Sequence, residues 1–120
     1  MGAGQEDYRD NTELGNIYCA RSVDNGNTFE NDVMVDAIYT HTTHQANPAI
    51  ALAGQGLVHI VWEDYRDHFD RANIYYSKSL DNGKVFGEDL MVNEPEARSS
   101  QLNPAIAVDN LGVVHLVWQE

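Results

Sequence analysis

Hydrophobic and β-branched residues fall in short runs along the chain, and Gly, Asn and Asp separate these runs. This pattern is typical of strands joined by tight turns, and no convincing helical period accompanies it. In the second half of the chain it predicts two hairpins. The first joins Asn73–Leu80 to Val85–Val92, with a possible break near Gly87, and the second joins Pro104–Val108 to Val113–Trp118.

The apolar runs Pro104–Val108 and Val113–Trp118 do not alternate cleanly between apolar and polar residues. A strand with one face in water alternates, whereas a strand covered on both faces reads as a continuous apolar run. We therefore expect both strands to be buried on both faces.

The chain carries two copies of one sequence unit. SVDNGNTF, which begins at Ser22, returns as SLDNGKVF at Ser79, an offset of 57 residues, and EDYRD returns at the same offset. Later matches such as NPAIA lie at an offset of 56, because one residue has been lost from the second copy. A period of this length indicates a repeat architecture.

Four strands per copy are typical of a blade of a β-propeller, and the sequence therefore predicts an all-β fold. An eight-stranded sandwich is the alternative, but it gives no reason for two nearly identical halves. We assign residues 1–4 to a leader, about 5–61 to the first repeat and about 62–118 to the second.

The repeated motif Ser-x-Asp-x-Gly-x-x-aromatic resembles the Asp-box of the BNR-repeat β-propellers, the architecture of sialidases. Its residues here are Ser22, Asp24, Gly26 and Phe29, then Ser79, Asp81, Gly83 and Phe86. The Asp can accept hydrogen bonds from its own turn, the Gly permits a positive φ, and the aromatic ring packs the turn onto the sheet. The resemblance implies a structural hairpin between the third and fourth strands of a blade, away from the ligand face. A calcium loop is the alternative, but the spacing of its acidic ligands is missing.

The chain begins with a third strand and ends with a second strand of the propeller unit, as in a circular permutation. Asn16–Val35 would form an outer strand pair, Asn47–Val92 a complete blade, and Pro104–Trp118 an inner pair. An uncovered inner pair favours association. We expect a cyclic homo-oligomer in which neighbouring chains complete these half-blades, with three chains favoured and four as the second choice. A fragment or a designed repeat of a larger propeller is the alternative origin.

Charge and composition exclude several partners. The net charge is −12 with only seven Lys and Arg, so neither nucleic acid nor a membrane surface is an expected partner. No apolar run approaches the roughly 20 residues of a membrane span, and no secretory signal is visible. The family is often extracellular, but the sequence leaves the location unknown. Cys19 is the only cysteine, which excludes a disulfide within the chain.

Propellers of this family bind ligands on the loops opposite the Asp-boxes, and the repeated D-Y-R-D element lies on two of those loops. Tyr offers a flat face to a sugar, Arg a bidentate donor to a carboxylate, and Asp acceptors for hydroxyl groups. The alternative is that Asp and Arg pair with a neighbouring blade and brace the ring. The candidate residues are Asp7, Tyr8, Arg9 and Asp10, and in the second copy Asp64, Tyr65, Arg66 and Asp67.

The sequence favours a noncatalytic, lectin-like or scaffold propeller that has copies of itself as partners and glycan as a candidate ligand. A sialidase-like glycosidase is the alternative, but the arginine motif that precedes a first strand in those enzymes is replaced by Asn47-Pro48 and Asn103-Pro104. We therefore assign no catalytic residue and no cofactor. His41 and His44 could share a metal but lack a third ligand, so no metal site is assigned. His59 and His115 are expected to be packed histidines.

Overall fold

The computed structural model describes residues 15–36 and 43–120, and strands, turns and loops make up these ranges. This confirms the predicted all-β class. The eight strands are β1 (Tyr18–Cys19), β2 (Val33–Met34), β3 (Gln45–Ala53), β4 (Leu57–Asp64), β5 (Asn73–Ser79), β6 (Leu90–Met91), β7 (Leu102–Val108) and β8 (Val114–Gln119).

The strands form three antiparallel sheets. β1 and β2 form the amino-terminal sheet, β3-β4-β5-β6 the central sheet in that order, and β7 and β8 the carboxy-terminal sheet. Within each sheet, strands that are consecutive along the chain pair with each other, since short turns favour neighbouring antiparallel strands. The described residues do not close into a ring within one chain.

The hydrophobic core lies between the amino-terminal and central sheets. Ile17 and Val35 pack against Ile60 and Trp62 of β4 and Tyr75 of β5. We call this side of the central sheet its amino face. Burial of these apolar side chains is the main stabilising contribution that the described residues show.

The carboxy-terminal sheet packs against the opposite side of the central sheet, its carboxy face. β7 contacts β3 and β4, and the backbone N–H of Asn103 donates to the buried carboxylate of Glu63 at 2.7 Å. β4 therefore lies between two other sheets, and seven of its eight residues are buried.

The prediction that Pro104–Val108 and Val113–Trp118 are covered on both faces is wrong for the single chain. Exposed residues alternate with less exposed ones along β8, and β7 also has an exposed face. The cause is that no further sheet lies beyond these two strands in the described chain. β4, the counterpart of β8, has the apolar pattern and is covered on both faces.

The return strands are shorter than predicted. Instead of Val85–Val92, only Leu90–Met91 forms β6, and β2 is equally short. The chain stays beside β5 through isolated contacts, in which the N–H of Gly87 donates to the carbonyl of Lys78 and Ser77 Oγ donates to the carbonyl of Gly87, both at 3.0 Å. Such isolated bonds hold the segment in place without forming a regular ladder.

One motif turn joins β1 to β2 and the other joins β5 to β6, and the two share their central hydrogen bonds. In each, the Ser hydroxyl donates to the Asp carboxylate at 2.7 Å and accepts from the Gly N–H at 2.8 Å. Gly26 and Gly83 have φ values of 85° and 86°, which few residues besides glycine adopt readily. Hydrogen bonds from Ser22 and Thr28 lower the pKa of Asp24 to about 2. This carboxylate is therefore a fixed acceptor at neutral pH.

The aromatic residue of the motif behaves differently in the two turns. Phe86 is half-buried and packs against the core, whereas Phe29 is exposed. The expected packing of the ring is therefore observed only in the second copy. Among the described residues, no inner strands lie beside β1 and β2, which flank this turn, and so Phe29 has less surface to cover.

Successive sheets are joined by the same backbone contact. The N–H of Gln45 donates to the carbonyl of Gly15 at 3.1 Å, and the N–H of Gln101 donates to the carbonyl of Ala72 at 2.9 Å. Gly15 and Ala72 are equivalent positions of the repeat, as are Gln45 and Gln101. The step from the first sheet to the second is thus repeated from the second to the third.

Asp36 and Asn93 occupy equivalent positions, where each closes the start of a neighbouring strand. Asp36 Oδ1 accepts the N–H of Ile17 at 2.8 Å, and Asn93 Oδ1 accepts the N–H of Ile74 at 2.6 Å. The second oxygen of Asp36 is buried without a hydrogen bond, whereas the Asn93 amide donates to Asn73 at 2.9 Å. Burial raises the pKa of Asp36 to about 6, against the bond from Ile17.

Asp36→Asn is therefore expected to stabilise the protein above neutral pH. The folded state holds the Asp36 proton more tightly than the unfolded state, so this group's stabilising contribution is complete below its ordinary pKa of 3.8 and is lost as pH rises through about 6. Urea unfolding at one protein concentration should show a gain of about 1–2 kcal/mol at pH 8 and little change at pH 4. Equal effects at both pH values would contradict this explanation.

Candidate functional site

The loops that follow β4 and β6 lie at one end of the central sheet, opposite the motif turn between β5 and β6. They are residues 65–72 and 92–101, and they touch each other. Arg71 donates to the carbonyl of Arg98 at 3.3 Å, and the N–H of Ala72 donates to Ser100 Oγ at 3.2 Å. The candidate residues of the second copy lie at this loop end. Asp7, Tyr8, Arg9 and Asp10 lie outside the described residues.

Asp64 is the fixed centre of the site. It is fully buried at the end of β4, where it accepts from Trp62 Nε1 at 2.8 Å, from Gln45 Nε2 at 3.2 Å, and from the backbone and side chain of Arg66 at 2.9 and 2.7 Å. A buried carboxylate is tolerated only when such donors compensate for its lost hydration. Asp64 is therefore already fully engaged.

Arg66 links this aspartate to the far side of the same sheet. Its Nη2 donates to Asp64 and to Asp89 at 2.7 and 2.8 Å, and its guanidinium lies 4.1 Å from the centre of the Tyr75 ring. Burial alone lowers the pKa of Arg66, but hydrogen bonds to Asp64 and Asp89 outweigh it and hold the pKa above its usual value. The ion pair therefore lies within one sheet. The bracing alternative expected it to lie between neighbouring sheets.

Asp67 is held at the surface by two donors from β5. The Tyr75 hydroxyl donates to it at 2.8 Å and Asn73 Nδ2 at 2.9 Å. Burial and the Asp67 carboxylate together raise the pKa of Tyr75. The side chain of Asp67 is exposed, so it could also accept from a solvent-side hydroxyl group.

Tyr65 occupies a different place from the other three residues of the element. Its ring is partly exposed and lies beside His44, with ring centres 5.7 Å apart, and its N–H donates to the carbonyl of His44 at 2.9 Å. Arg66 and Asp64 thus form the support, while Tyr65 and Asp67 line the outer surface. Of the four residues, these two can contact a ligand.

Sequence reasoning missed several residues of this site. Asp89 completes the ion pair from 23 positions away, and Gln45 supports Asp64 from β3. Phe69 is 92% exposed on the same loop, and Arg71 contacts His68 at 3.2 Å. Residues 68–71 differ from their counterparts 11–14 in the first copy, so the sequence repeat did not reveal them. The recurrence of Asp89 as Asp32 was a usable signal.

Trp118 of the carboxy-terminal sheet is the counterpart of Trp62, and its indole N–H has a different acceptor. Trp62 donates to Asp64, whereas Trp118 donates to Gln101 Oε1 at 2.8 Å. Gln101 is the counterpart of Gln45 and is buried like it. The tryptophan of the repeat thus keeps a buried acceptor in both sheets, with a different partner in each.

The histidines do not form a metal site among the described residues, where no group of three or more His, Cys, Asp or Glu is placed to hold an ion. His41 lies outside those residues, and His44 Nδ1 accepts the N–H of Gly15 at 3.3 Å. His59 is buried and shares a 2.8 Å hydrogen bond with the Tyr76 hydroxyl, and burial lowers its pKa. His115 is exposed instead, because no strand of the described ranges lies beyond β8, and it contacts Asp109 at 3.0 Å.

The comparisons with known proteins add no relative. No protein-family model, curated protein or solved structure matches the chain. Within residues 15–36 and 43–120, no helix is long and apolar enough to cross a membrane.

Replacing Arg66 by Ala should destabilise the fold by about 2–4 kcal/mol, since it leaves the buried carboxylates of Asp64 and Asp89 without their shared cation. Arg66→Lys should recover part of the loss, because it restores the charge but not the planar fork. Chemical unfolding measures both, with the exposed Lys84→Ala as the control. A loss no larger than that of the control would refute the supporting role of Arg66.

Proposed function

We propose that this chain is a piece of an Asp-box β-propeller that assembles with copies of itself into a ring. The repeated step between sheets carries this proposal. Two successive steps use the same backbone bond between equivalent residues, at 3.1 and 2.9 Å. A constant step, applied repeatedly, produces either a closed ring or an open helix.

The strand counts of the three described sheets support association. The central sheet has four strands, while each neighbouring sheet has two. The amino-terminal sheet corresponds to the outer pair of the central sheet, and the carboxy-terminal sheet to its inner pair. Two half-sheets from different chains would therefore make one complete blade, and three chains would give the six blades of the sialidase-like propellers.

The proposed activity is noncatalytic binding, with glycan as the ligand class. At the loop end, Tyr65 offers a partly exposed aromatic surface and Asp67 an exposed acceptor, as sugar recognition requires. The buried Asp64 and the half-buried Arg66 hold these two residues in place. A ring would present this pair once per central sheet, so binding to multivalent glycans would gain from avidity.

The mass in solution tests the ring. Three chains of 13.4 kDa give about 40 kDa, and four give about 54 kDa. Light scattering at micromolar concentration should show one of these masses, with three chains favoured. A stable monomer would refute the ring, and an unlimited series of masses would indicate an open helix.

Glycan-array binding tests the ligand class, and Tyr65→Ala should weaken any binding about tenfold through loss of the stacking surface. Lys84→Ala is the control, because it removes an exposed side chain at the motif turn of the complete central sheet and should leave affinity unchanged. A fluorogenic sialoside should show no turnover. Turnover would favour the glycosidase, and equal affinity of both variants would reject the loop end as the site.

A further inference from the structure

Two apolar faces of the described chain are uncovered. On β3 the side chains of Ile50 and Leu52 point to the amino face and are exposed, Leu52 by 69%. At the other end of the molecule, Val117 of β8 is 67% exposed. Exposed apolar surface of this kind marks an interaction site more often than scattered single residues do.

These faces are the two halves of a contact that the chain already makes. Ile106 and Val108, the counterparts of Ile50 and Leu52, are less exposed because they lie against the central sheet. Val61, the counterpart of Val117, is fully buried on the carboxy face. Each side chain that is exposed at an outer face therefore has a counterpart that is covered where two sheets of the same chain pack together. A second copy, placed by the same step, would cover both open faces.

Strand edges show the same complementarity. β4 pairs with β5 on the side away from β3, whereas β8 has no strand on that side among the described residues. β1 is the counterpart of β5, and it pairs with β2 as β5 pairs with β6. The open edge of β8 can accept a further strand.

The central sheet also gives the register. Val61 lies opposite Tyr76 in the β4–β5 pair. The equivalent positions are Val117 in β8 and Cys19 in β1. Because a shift by one residue would turn each side chain to the other face, this alignment is the one that keeps the apolar faces matched.

We propose that β8 of one chain pairs in antiparallel fashion with β1 of a second copy, with Val117 directly opposite Cys19, and that the second copy's β3 covers the exposed face of β7 and β8. This joint rests on the proposed self-assembly, and it adds the partner strand, the register and the covered residues.

A groove of about 460 Å³ beside β5 and β6 has the place expected for the second copy's motif turn. Tyr76, Lys78 and Leu90 are among its lining residues. Cys19 and Arg21, the counterparts of Tyr76 and Lys78, lie beside the turn of the next sheet within one chain. Arg21 donates to the carbonyl of Asn82 at 3.3 Å, and a Cβ atom added at Gly83 would lie 3.9 Å from Cys19 Sγ. The equivalent Gly26 has no such neighbour among the residues that the structure describes. The turn at Asn25 and Gly26 of the second copy would therefore close the groove.

The joint is tested by Val117→Cys with the native Cys19. Directly opposite residues of an antiparallel pair have Cα atoms about 4.5–5.5 Å apart, within the roughly 4.4–6.8 Å range of disulfides. Mild oxidation of the assembled protein should join chains covalently, giving a ladder on a non-reducing gel. Val117 is exposed in the single chain, so its replacement should leave each chain folded.

Ala105→Cys is the matched control, because Ala105 is also exposed and lies beside Val117 in the β7–β8 pair, one strand further from the incoming β1. About 10 Å, or two strand spacings, would separate it from Cys19. Cross-linking by Val117→Cys alone, and its loss when Cys19→Ser is added, would support the joint. Equal cross-linking of both cysteine variants, persistence without Cys19, or a disulfide within one chain would overturn it.

This test separates the joint from the proposed ring and its activity. Cross-links in an assembly of unexpected mass would keep the joint and reject the ring size. A ring of the expected mass that does not cross-link at Val117→Cys would reject the joint and keep the ring. Glycan binding is measured independently of both.

Discussion

The structure depends on the need of an inner strand to be covered on every side. β4 satisfies this need: its edges pair with β3 and β5, its amino face packs on the first sheet, and its carboxy face packs on the third. Buried backbone groups must find partners, and apolar faces gain stability only when water is excluded. β8 has the apolar sequence of such a strand but only part of its cover. The association proposed here follows from that difference.

The ion pairs of Arg66 explain how the loop end is held in position. A buried ion pair contributes specificity of position more reliably than stability, because desolvation offsets much of its attraction. Arg66 bridges the end of β4 and the segment before β6, and its guanidinium lies over the Tyr75 ring. The outer residues Tyr65 and Asp67 thereby stand on a rigid base. Asp36 and Asn93 show that the repeat accepts either a carboxyl or an amide side chain at one position.

Sequence repetition predicted the features that depend on local chemistry. The motif turns, the strand order and the division into a complete sheet between two strand pairs follow from short spacings that the chain states twice. Features that depend on distant contacts were missed or misjudged. The partner of Arg66 is 23 residues away, the return strand shrinks to Leu90–Met91, and His115 is exposed because no described strand lies beyond β8. The residues around Phe69 escaped notice because they differ between the copies.

Amide hydrogen exchange at the outer edge of β8 tests most directly whether another chain completes the third sheet. The amides of β8 that point away from β7 should exchange as slowly as those of β4 that pair with β5 when the protein is concentrated, and faster on dilution. Rapid exchange of these β8 amides at every concentration, with β4 still protected, would contradict the account.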